Sequence, residues 1–301
     1  MKFVALSDVH LTAKNPMARL DDLVEVQMGK LKFVLDWAQN NSAIILQAGD
    51  FFNRPRSWTL LPRVMDLLSD YDNEIYCVYG QHDTYFYSET TREATSLGIL
   101  EKAGYVNILS KTPIYFKNNI EIYGVNWGEE IPTPDKTMPM NILIIHAPIS
   151  TGPLFPNHEY TSADRFLRKH TGYNLILCGD IHRKFIIQDG NRYLINTGPM
   201  LRLTAEQYSF EHSPAFAVYD TEEQTVEWVE IPHKDASEVL TRAHIENKVI
   251  NSAMLDEFVD SLKDSFHIGG VDLKENIKKY IDENKISKDV REILSEVMAN
   301  D

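Results

Sequence analysis

Five short segments of this chain each place Asp, His or a side-chain amide directly after an apolar run, and this recurrence limits the fold more than any other feature. They are Ser7-Asp8-Val9-His10, Gly49-Asp50-Phe51-Phe52-Asn53, Gly80-Gln81-His82-Asp83, Ile145-His146-Ala147 and Gly179-Asp180-Ile181-His182. The runs before them, over 2–6, 43–47, 75–79, 141–145 and 173–178, read as buried strands. Open α/β sheets place ligand sites at the C-terminal ends of their strands. A fold that gathers those ends therefore makes one polar centre. Asp8 and His10 stand two residues apart, a spacing that lets both point one way from an extended backbone, and Asp180 and His182 repeat it. Gly49, Gly80 and Gly179 are expected to let the chain turn sharply and bring side chains close to a shared point.

The rest of the first half alternates with these strands as helices, predicted over 21–40, 59–71 and 93–103 from apolar residues at helical spacing. Shorter strands are expected over 106–109, 114–116 and 120–125. Two hairpins come next, one turning at Asp189-Gly190-Asn191 and one joining 215–220 to 224–230. The pattern is α/β turning into antiparallel β, and it predicts two packed sheets flanked by helices. After His233 the composition becomes charged and helical. Apolar stripes run through Leu255, Phe258, Val259, Leu262 and Phe266, then Leu273, Ile277, Tyr280 and Ile281, then Val290, Ile293, Leu294 and Val297. The expected division is residues 1–233 as the site-bearing domain and 234–301 as a C-terminal helical extension.

Composition narrows the function. With 43% hydrophobic residues in 301, the chain has material for a full core. A formal net charge of −14 argues against a protein that coats nucleic acid through bulk positive charge. It does not exclude an enzyme that meets phosphates through bound cations and a few arginines. Cys77 and Cys178 both sit in apolar runs and read as core thiols, not as a disulfide or metal pair. Met1-Lys2 leads straight into a strand without a secretory signal, and no apolar run approaches the ~18–20 residues that span a bilayer. The cytoplasm, with no membrane partner, is the expected location.

The residue types point to phosphate-ester chemistry. A phosphodiester anion repels hydroxide and has a poor leaving alkoxide. Two divalent cations roughly 3.5–4 Å apart neutralise the phosphate and activate a water between them. A set of Asp, His and amide donors without thiolates suits Mn²⁺ or a similar ion better than a structural zinc. Each segment alone has an ordinary explanation. Asp8 caps the segment after it, His146 is a satisfied core histidine, or Asp180 belongs to a turn. Five in one order, each after a strand, are a stronger signal.

The ordered set D-x-H, G-D, G-x-H-D, H and G-x-x-H resembles the calcineurin-like metallophosphoesterase superfamily across roughly residues 1–230. More narrowly, the chain is similar to the SbcD-type DNA-repair exonuclease subunits and their phage relatives. That likeness rests on Gly49-Asp50-Phe51-Phe52-Asn53-Arg54-Pro55, on Asn196-Thr197-Gly198-Pro199-Met200-Leu201-Arg202, and on the helical tail. The resemblance implies a metallophosphoesterase sandwich in which Asp8, His10, Asp50 and His182 hold one metal. Asp50 bridges to a second, held with Gln81, His146 and Asp180. His82 then stands beside the scissile phosphate as general acid, with Asp83 orienting it. Gln81 stands where Asn is usual, Asp180 where the first His of G-H-x-H is usual, and Asn53 where Asp or His is common. Both departures at the second metal leave oxygen donors and make that site harder and more anionic.

The resemblance further implies a Mn²⁺-dependent DNA exonuclease or endonuclease with two metal ions. Its partners are DNA, an SbcC-like coiled-coil ATPase and, as an open alternative, a second copy of the chain, while the helical tail either docks that ATPase or folds back to cap its own core. Asn53, Arg54 and Arg183 are the candidate substrate-binding residues. Arg56 and Arg202 are equally open to contacting phosphates or serving a solvated surface. For Tyr85, Phe86 and Tyr87, core packing is preferred over base stacking. His158, His170, His212, His233, His244 and His267 are assigned no role. Two alternatives stay open: a phosphomonoesterase or cyclic-nucleotide phosphodiesterase, and a non-catalytic DNA-repair subunit whose second metal site has decayed.

Overall fold

The computed structural model describes residues 1–116, 119–243 and 245. Its first half runs β1 (Lys2–Leu6), α1 (Leu23–Asn40), β2 (Ile44–Gln47), α2 (Leu61–Ser69), β3 (Ile75–Cys77), α3 (Ser96–Lys102) and β4 (Asn107–Ile108). Next come β5 (Ile114–Phe116), β6 (Ile120–Val125), β7 (Met140–His146), the short pair β8 (Ile149–Ser150) and β9 (Thr161–Ser162), and α4 (Ala163–Lys169). The chain continues through β10 (Leu175–Gly179), β11 (Phe185–Asp189), β12 (Arg192–Asn196), α5 (Gln207–Glu211), β13 (Ala215–Asp220), β14 (Thr225–Glu230) and α6 (Ala236–Val239).

These strands make two six-stranded sheets, ordered β14-β13-β1-β2-β3-β4 and β11-β12-β10-β7-β6-β5. In the first sheet β1 to β4 are parallel, and β13 and β14 add antiparallel. In the second, β6, β7, β10 and β12 are parallel, with β5 and β11 as antiparallel edges. The fold is α/β with two sheets flanked by helices, as the strand and helix pattern predicts.

Strand periodicity sorts each side chain to a layer. Phe3, Ala5 and Leu46 of the first sheet share one buried cluster with Ile142, Ile144, Leu175, Leu177 and Ile195 of the second. The alternate residues Val4, Leu6 and Ile45 lie under Leu31, Val34 and Leu35 of α1. On the other side, Leu143, Ile145 and Ile176 pack with Phe166 and Leu167 of α4. With both faces covered, the strands read as continuous apolar runs. Helix α1 begins where Asp22 accepts from the Val24 and Glu25 amides, satisfying two of its unpaired N–H groups.

The compact unit runs from Met1 to Leu240. It therefore continues past 233: Ala236, Val239 and Leu240 cluster with Phe210, and Leu20 N–H donates to the Val239 carbonyl. The predicted stripes between Leu255 and Val297, and His244 and His267, lie outside the described residues. Cys77 and Cys178 are buried free thiols, pushed up in pKa by burial. Among the described residues no helix is long and apolar enough to cross a membrane.

Ile144, fully buried between the sheets, should cost about 2–5 kcal/mol on replacement by Ala, because its site cannot fully collapse. Met17, 78% exposed, should change stability by less than about 0.5 kcal/mol as Met17→Ala. Urea unfolding of the two variants checks the pair.

Candidate metal centre

The polar centre lies where parallel strands of both sheets end. Asp8 and His10 follow β1, Asp50 follows β2, Gln81 and His82 follow β3, His146 is the last residue of β7, and Asp180 and His182 follow β10. In register, Gly179 of β10 lies beside His146 of β7. The ligands do not project from extended backbone, as the two-residue spacing suggests. Asp8, His10, Asp50 and Asp180 have φ of 46°, 50°, 54° and 90°. Left-handed backbone costs non-glycine residues of order 1–3 kcal/mol each and persists only where surrounding contacts fix it. Here cross-strand bonds fix it: His10 N–H to the Asp50 carbonyl at 2.9 Å, Leu11 N–H to that of Phe51 at 3.0 Å, and Met200 N–H to that of Asp8 at 3.2 Å.

Two glycines permit the crowding. Gly49 has φ of 84°, and a Cβ on it would overlap the His146 ring; a Cβ on Gly80 would overlap the Asp50 carboxylate and backbone nitrogen. The recurrence of glycine just before the donors thus has a steric cause at both positions.

The donors converge on Asp50. Its Oδ2 lies 3.6 Å from His10 Nε2 and 3.5 Å from His146 Nε2. His10 Nε2 is 2.9 Å from His182 Nε2, and Asp8 Oδ1 lies 3.9 and 3.8 Å from those two nitrogens. Two groups result, Asp8–His10–His182 and Asp8–Asp50–His146, each with donor atoms within 4.8 Å of one another. Asp8 thus reaches both groups, and Asp50 Oδ2 stands between a histidine of each.

In Asp8, Asp50, Gln81 and His146 one polar side-chain atom is engaged and the other is not. Asp50 Oδ1 accepts from His82 N–H at 2.8 Å, and Asp8 Oδ1 accepts from Asp180 N–H at 3.0 Å. His146 Nδ1 donates to the Ala48 carbonyl at 2.6 Å, which leaves a lone pair on Nε2 in the neutral ring. Gln81 Nε2 donates to Asp180 Oδ1 at 2.5 Å. By contrast Asp8 Oδ2, Asp50 Oδ2, Gln81 Oε1 and His146 Nε2 are buried without a hydrogen-bond partner, as is His10 Nδ1. Buried lone pairs without a donor are costly, and hard divalent cations satisfy such a set of carboxylate, amide and imidazole donors. The residues fit a pair of cations. The longer amide of Gln81 does two things at once: its nitrogen holds Asp180, and its oxygen stays open towards the centre.

Electrostatics agree. Burial raises the Asp8 carboxyl to about 8, with Asp50 and Asp180 adding and His146 opposing. Burial also opposes the charge on His146, but the Asp50 and Asp8 carboxylates override it and raise the imidazole to about 10. In return His146 and His10 hold Asp50 below the usual carboxylate range despite its burial. Burial lowers His10 well below an ordinary histidine, and crowding by protein takes His182 to about 4, although half its side chain reaches solvent.

Several expected roles change. Asp83 does not orient the His82 ring. Its buried carboxylate accepts from the N–H groups of Phe51, Phe52 and Gly80 at 3.2, 3.0 and 3.0 Å, tying the β2 and β3 loops together. His82 Nδ1 meets the Asn53 carbonyl at 3.1 Å instead, and its Nε2 faces Asp50 Oδ2 at 4.0 Å. Arg202 is buried and donates to the carbonyls of His212 and Lys234, so it is a structural brace and not a phosphate contact. Arg54, Arg56 and Arg183 are exposed. Phe86 and Tyr87 are not core: they are 93% and 70% exposed.

Sequence reasoning missed the buried polar braces. Ser7 N–H donates to Thr197 Oγ1, Ser7 Oγ–H to the Cys178 carbonyl, and Asn196 Nδ2–H to the Ile181 carbonyl, stitching the ends of β1, β10 and β12. Lys30, buried on α1, donates to the Met200 carbonyl at 2.9 Å. The available signal was a polar residue at the end of an otherwise apolar strand, as with Asn196, and a lysine on the apolar face of a helix.

The family model for calcineurin-like phosphoesterases matches residues 1–184, ending two residues after His182. No match was found among functionally curated proteins. Among solved structures, a Staphylococcus aureus protein described as a 5′-nucleotidase is 11% identical, with a TM-score of 0.50, covering 78% of this chain and 55% of its own. The TT1561 protein of Thermus thermophilus is 12% identical with a TM-score of 0.49, covering 77% and 99%. A novel archaeal phosphodiesterase is 12% identical with a TM-score of 0.43, covering 76% and 99%.

Because Asp50 Oδ2 stands between His10 and His146, one histidine of each donor group, Asp50→Ala should lose both cations. Elemental analysis finding full occupancy in that variant would remove Asp50 from the centre. Cation binding must also displace protons: from His182 at pH near 4, from Asp8 up to about 8, and from His146 up to about 10. Affinity should therefore rise as pH rises from about 5 to about 8, with net proton release detectable by titration calorimetry in buffers of different ionisation enthalpy. Flat affinity across that window would contradict the donor assignment.

Proposed function

The chain belongs to the calcineurin-like phosphoesterase family, and we propose that it hydrolyses phosphodiester bonds in DNA as the nuclease subunit of an SbcCD-like recombination and repair complex. At the coarser level it is a metal-dependent phosphoesterase. The observation that supports a polymeric substrate is the shape of the surface around His82. Two cavities of about 520 and 400 Å³ adjoin it, and both are lined by Asn53 and His82. A chain substrate can pass through both, whereas a small monoester needs only one. Arg54 lines the first cavity. Arg183 lies over the ring of Tyr208, which lines the second, at 5.2 Å. Each arginine is a proposed contact for a substrate phosphate.

Two divalent cations, Mn²⁺ by the character of the donors, supply charge neutralisation and water activation when bound. Asp8, His10, His182 and Asp50 would hold one. Asp50 and His146, with Gln81 and Asp180, would hold the other. The chain's own residues do the rest. The Asn53 carbonyl accepts from His82 Nδ1–H and so aims Nε2 at the centre, where a proton on it can pass to the leaving oxygen. Asp83 holds the Phe51, Phe52 and Gly80 backbones, which fixes Asp50 and Gln81 beside that proton. The C-terminal extension beyond Leu240 is the proposed docking element for an SbcC-like coiled-coil ATPase, a cap on its own core being the alternative to test, and the cytoplasm is the proposed location.

The net charge of −14 favours a second reading, a phosphomonoesterase or cyclic-nucleotide phosphodiesterase. Hydrolysis of linear DNA with Mn²⁺, measured with and without the ATPase subunit, separates the two. A protein that turns over bis(p-nitrophenyl) phosphate but cleaves DNA under neither condition is not a nuclease. Within the preferred reading, His82→Ala should retain both cations and lose on the order of 10²–10⁴-fold in turnover on DNA. The loss should be smaller on a diester whose leaving group needs no proton. Near-normal DNA cleavage by the variant would take His82 out of the acid role.

A further inference from the structure

We propose that Phe86 and Tyr87 form a ledge on which an unpaired nucleobase stacks beside the scissile phosphate, so that the preferred substrate is a single strand or a frayed end. The proposal rests on the DNA reading above. Both rings stand in solvent, 93% and 70% exposed, on two successive residues with left-handed backbone, φ 52° and 56°. Two adjacent strained residues that hold aromatic rings out of the core need a compensating use. The loop beneath them is pinned. Thr91 Oγ1 accepts from Tyr85 N–H at 3.0 Å and donates to the Ser88 carbonyl at 2.7 Å, while Ser88 N–H donates to the Tyr85 carbonyl at 2.9 Å.

Position and charge say what the ledge takes. Phe86 and Tyr87 line the same cavity of about 520 Å³ as Gln81, His82 and Arg54. The rings and the Arg54 guanidinium therefore share one cavity with Gln81 and His82, which border the candidate centre. Tyr85 packs against Phe86, with ring centroids 6.5 Å apart, and the Arg56 guanidinium lies 5.0 Å from the Tyr85 ring centroid. Arg56 is thus held against the same aromatic run, with the Trp58 ring centroid 5.9 Å away, as a further cation near the ledge. Beyond Tyr87 the adjoining cavity carries mixed charge: Glu89, Glu129 and Glu130 line it with Arg92 and Lys111, and Arg92 pairs with Glu89 and Glu129. Every base has a π-face, so the ledge selects strandedness and not sequence. In a duplex the bases already stack on one another, and the rings have nothing to meet.

The test is steady-state cleavage of single-stranded oligonucleotides by the full chain with Mn²⁺, wild type against Phe86→Ala/Tyr87→Ala. The double variant should raise KM about ten-fold or more with little change in kcat. Placing an abasic residue next to the scissile phosphate should weaken the wild type by the same factor and the variant by no more, because both changes remove one contact. Phe86→Trp, which keeps a ring, should hold the wild-type KM. An unchanged KM in the double variant overturns the ledge and leaves the rings to a protein partner. Equal loss on abasic and intact substrates also overturns it, since the loop would then act only through His82. Either result leaves the DNA reading standing. A wild type that cleaves bis(p-nitrophenyl) phosphate but no oligonucleotide overturns both.

Discussion

Asp50 Oδ2 is a buried carboxylate oxygen that accepts no hydrogen bond and faces two imidazole nitrogens at 3.5 and 3.6 Å. An anion so placed is expensive unless a cation meets it. In the protein alone the compensating charge is a proton, which is why His146 is raised to about 10 while Asp50 stays ionised. Divalent cations held by these residues would replace that proton and satisfy Asp8 Oδ2, Gln81 Oε1 and His146 Nε2. One physical demand therefore accounts for the donor types, their burial and their shifted protonation.

The rest of the architecture serves to hold that arrangement. Four of the donor residues sit in left-handed backbone, and the strain is borne by a two-sheet core whose inner faces are apolar throughout. Asp83 is a clamp: with one carboxylate it receives three N–H groups from two loops, and burial together with Asp50 raises it to about 7. The Ser7–Thr197 and Asn196–Ile181 bonds do similar work between the ends of β1, β12 and β10. Catalytic geometry here depends on buried polar bonds outside the donor set, as preorganised sites generally do.

Much of this was legible in the sequence. Strands buried on both faces leave continuous apolar runs, and the donors stand directly after them, so their order along the chain already showed one shared edge. The helix at Leu23–Asn40 announced itself by its apolar spacing, whereas its cap at Asp22 emerged only in the structure. Other features left no such mark. Helix α4 is seven residues long with only Phe166 and Leu167 as bulky buried residues, too short for its period to register. The left-handed kinks at Asp8 and His10 are imposed by cross-strand bonds, and spacing alone suggested extended backbone. Asp83 beside His82 suggested a pair, whereas the fold turns the carboxylate inward to three amides and gives His82 to a backbone carbonyl. The Tyr85–Tyr87 run had core composition, and only the strained backbone shows Phe86 and Tyr87 turned outward.

The central claim is that Asp50 stands between two cations. Anomalous diffraction from crystals grown with Mn²⁺, collected on both sides of the manganese edge, addresses it without relying on turnover. Two peaks roughly 3.5–4 Å apart are predicted, one among Asp8, His10 and His182 and one beside His146 and Gln81, with Asp50 reaching both. A single peak held by Asp8, His10 and His182 alone, with His146 and Gln81 still unmatched, would contradict it.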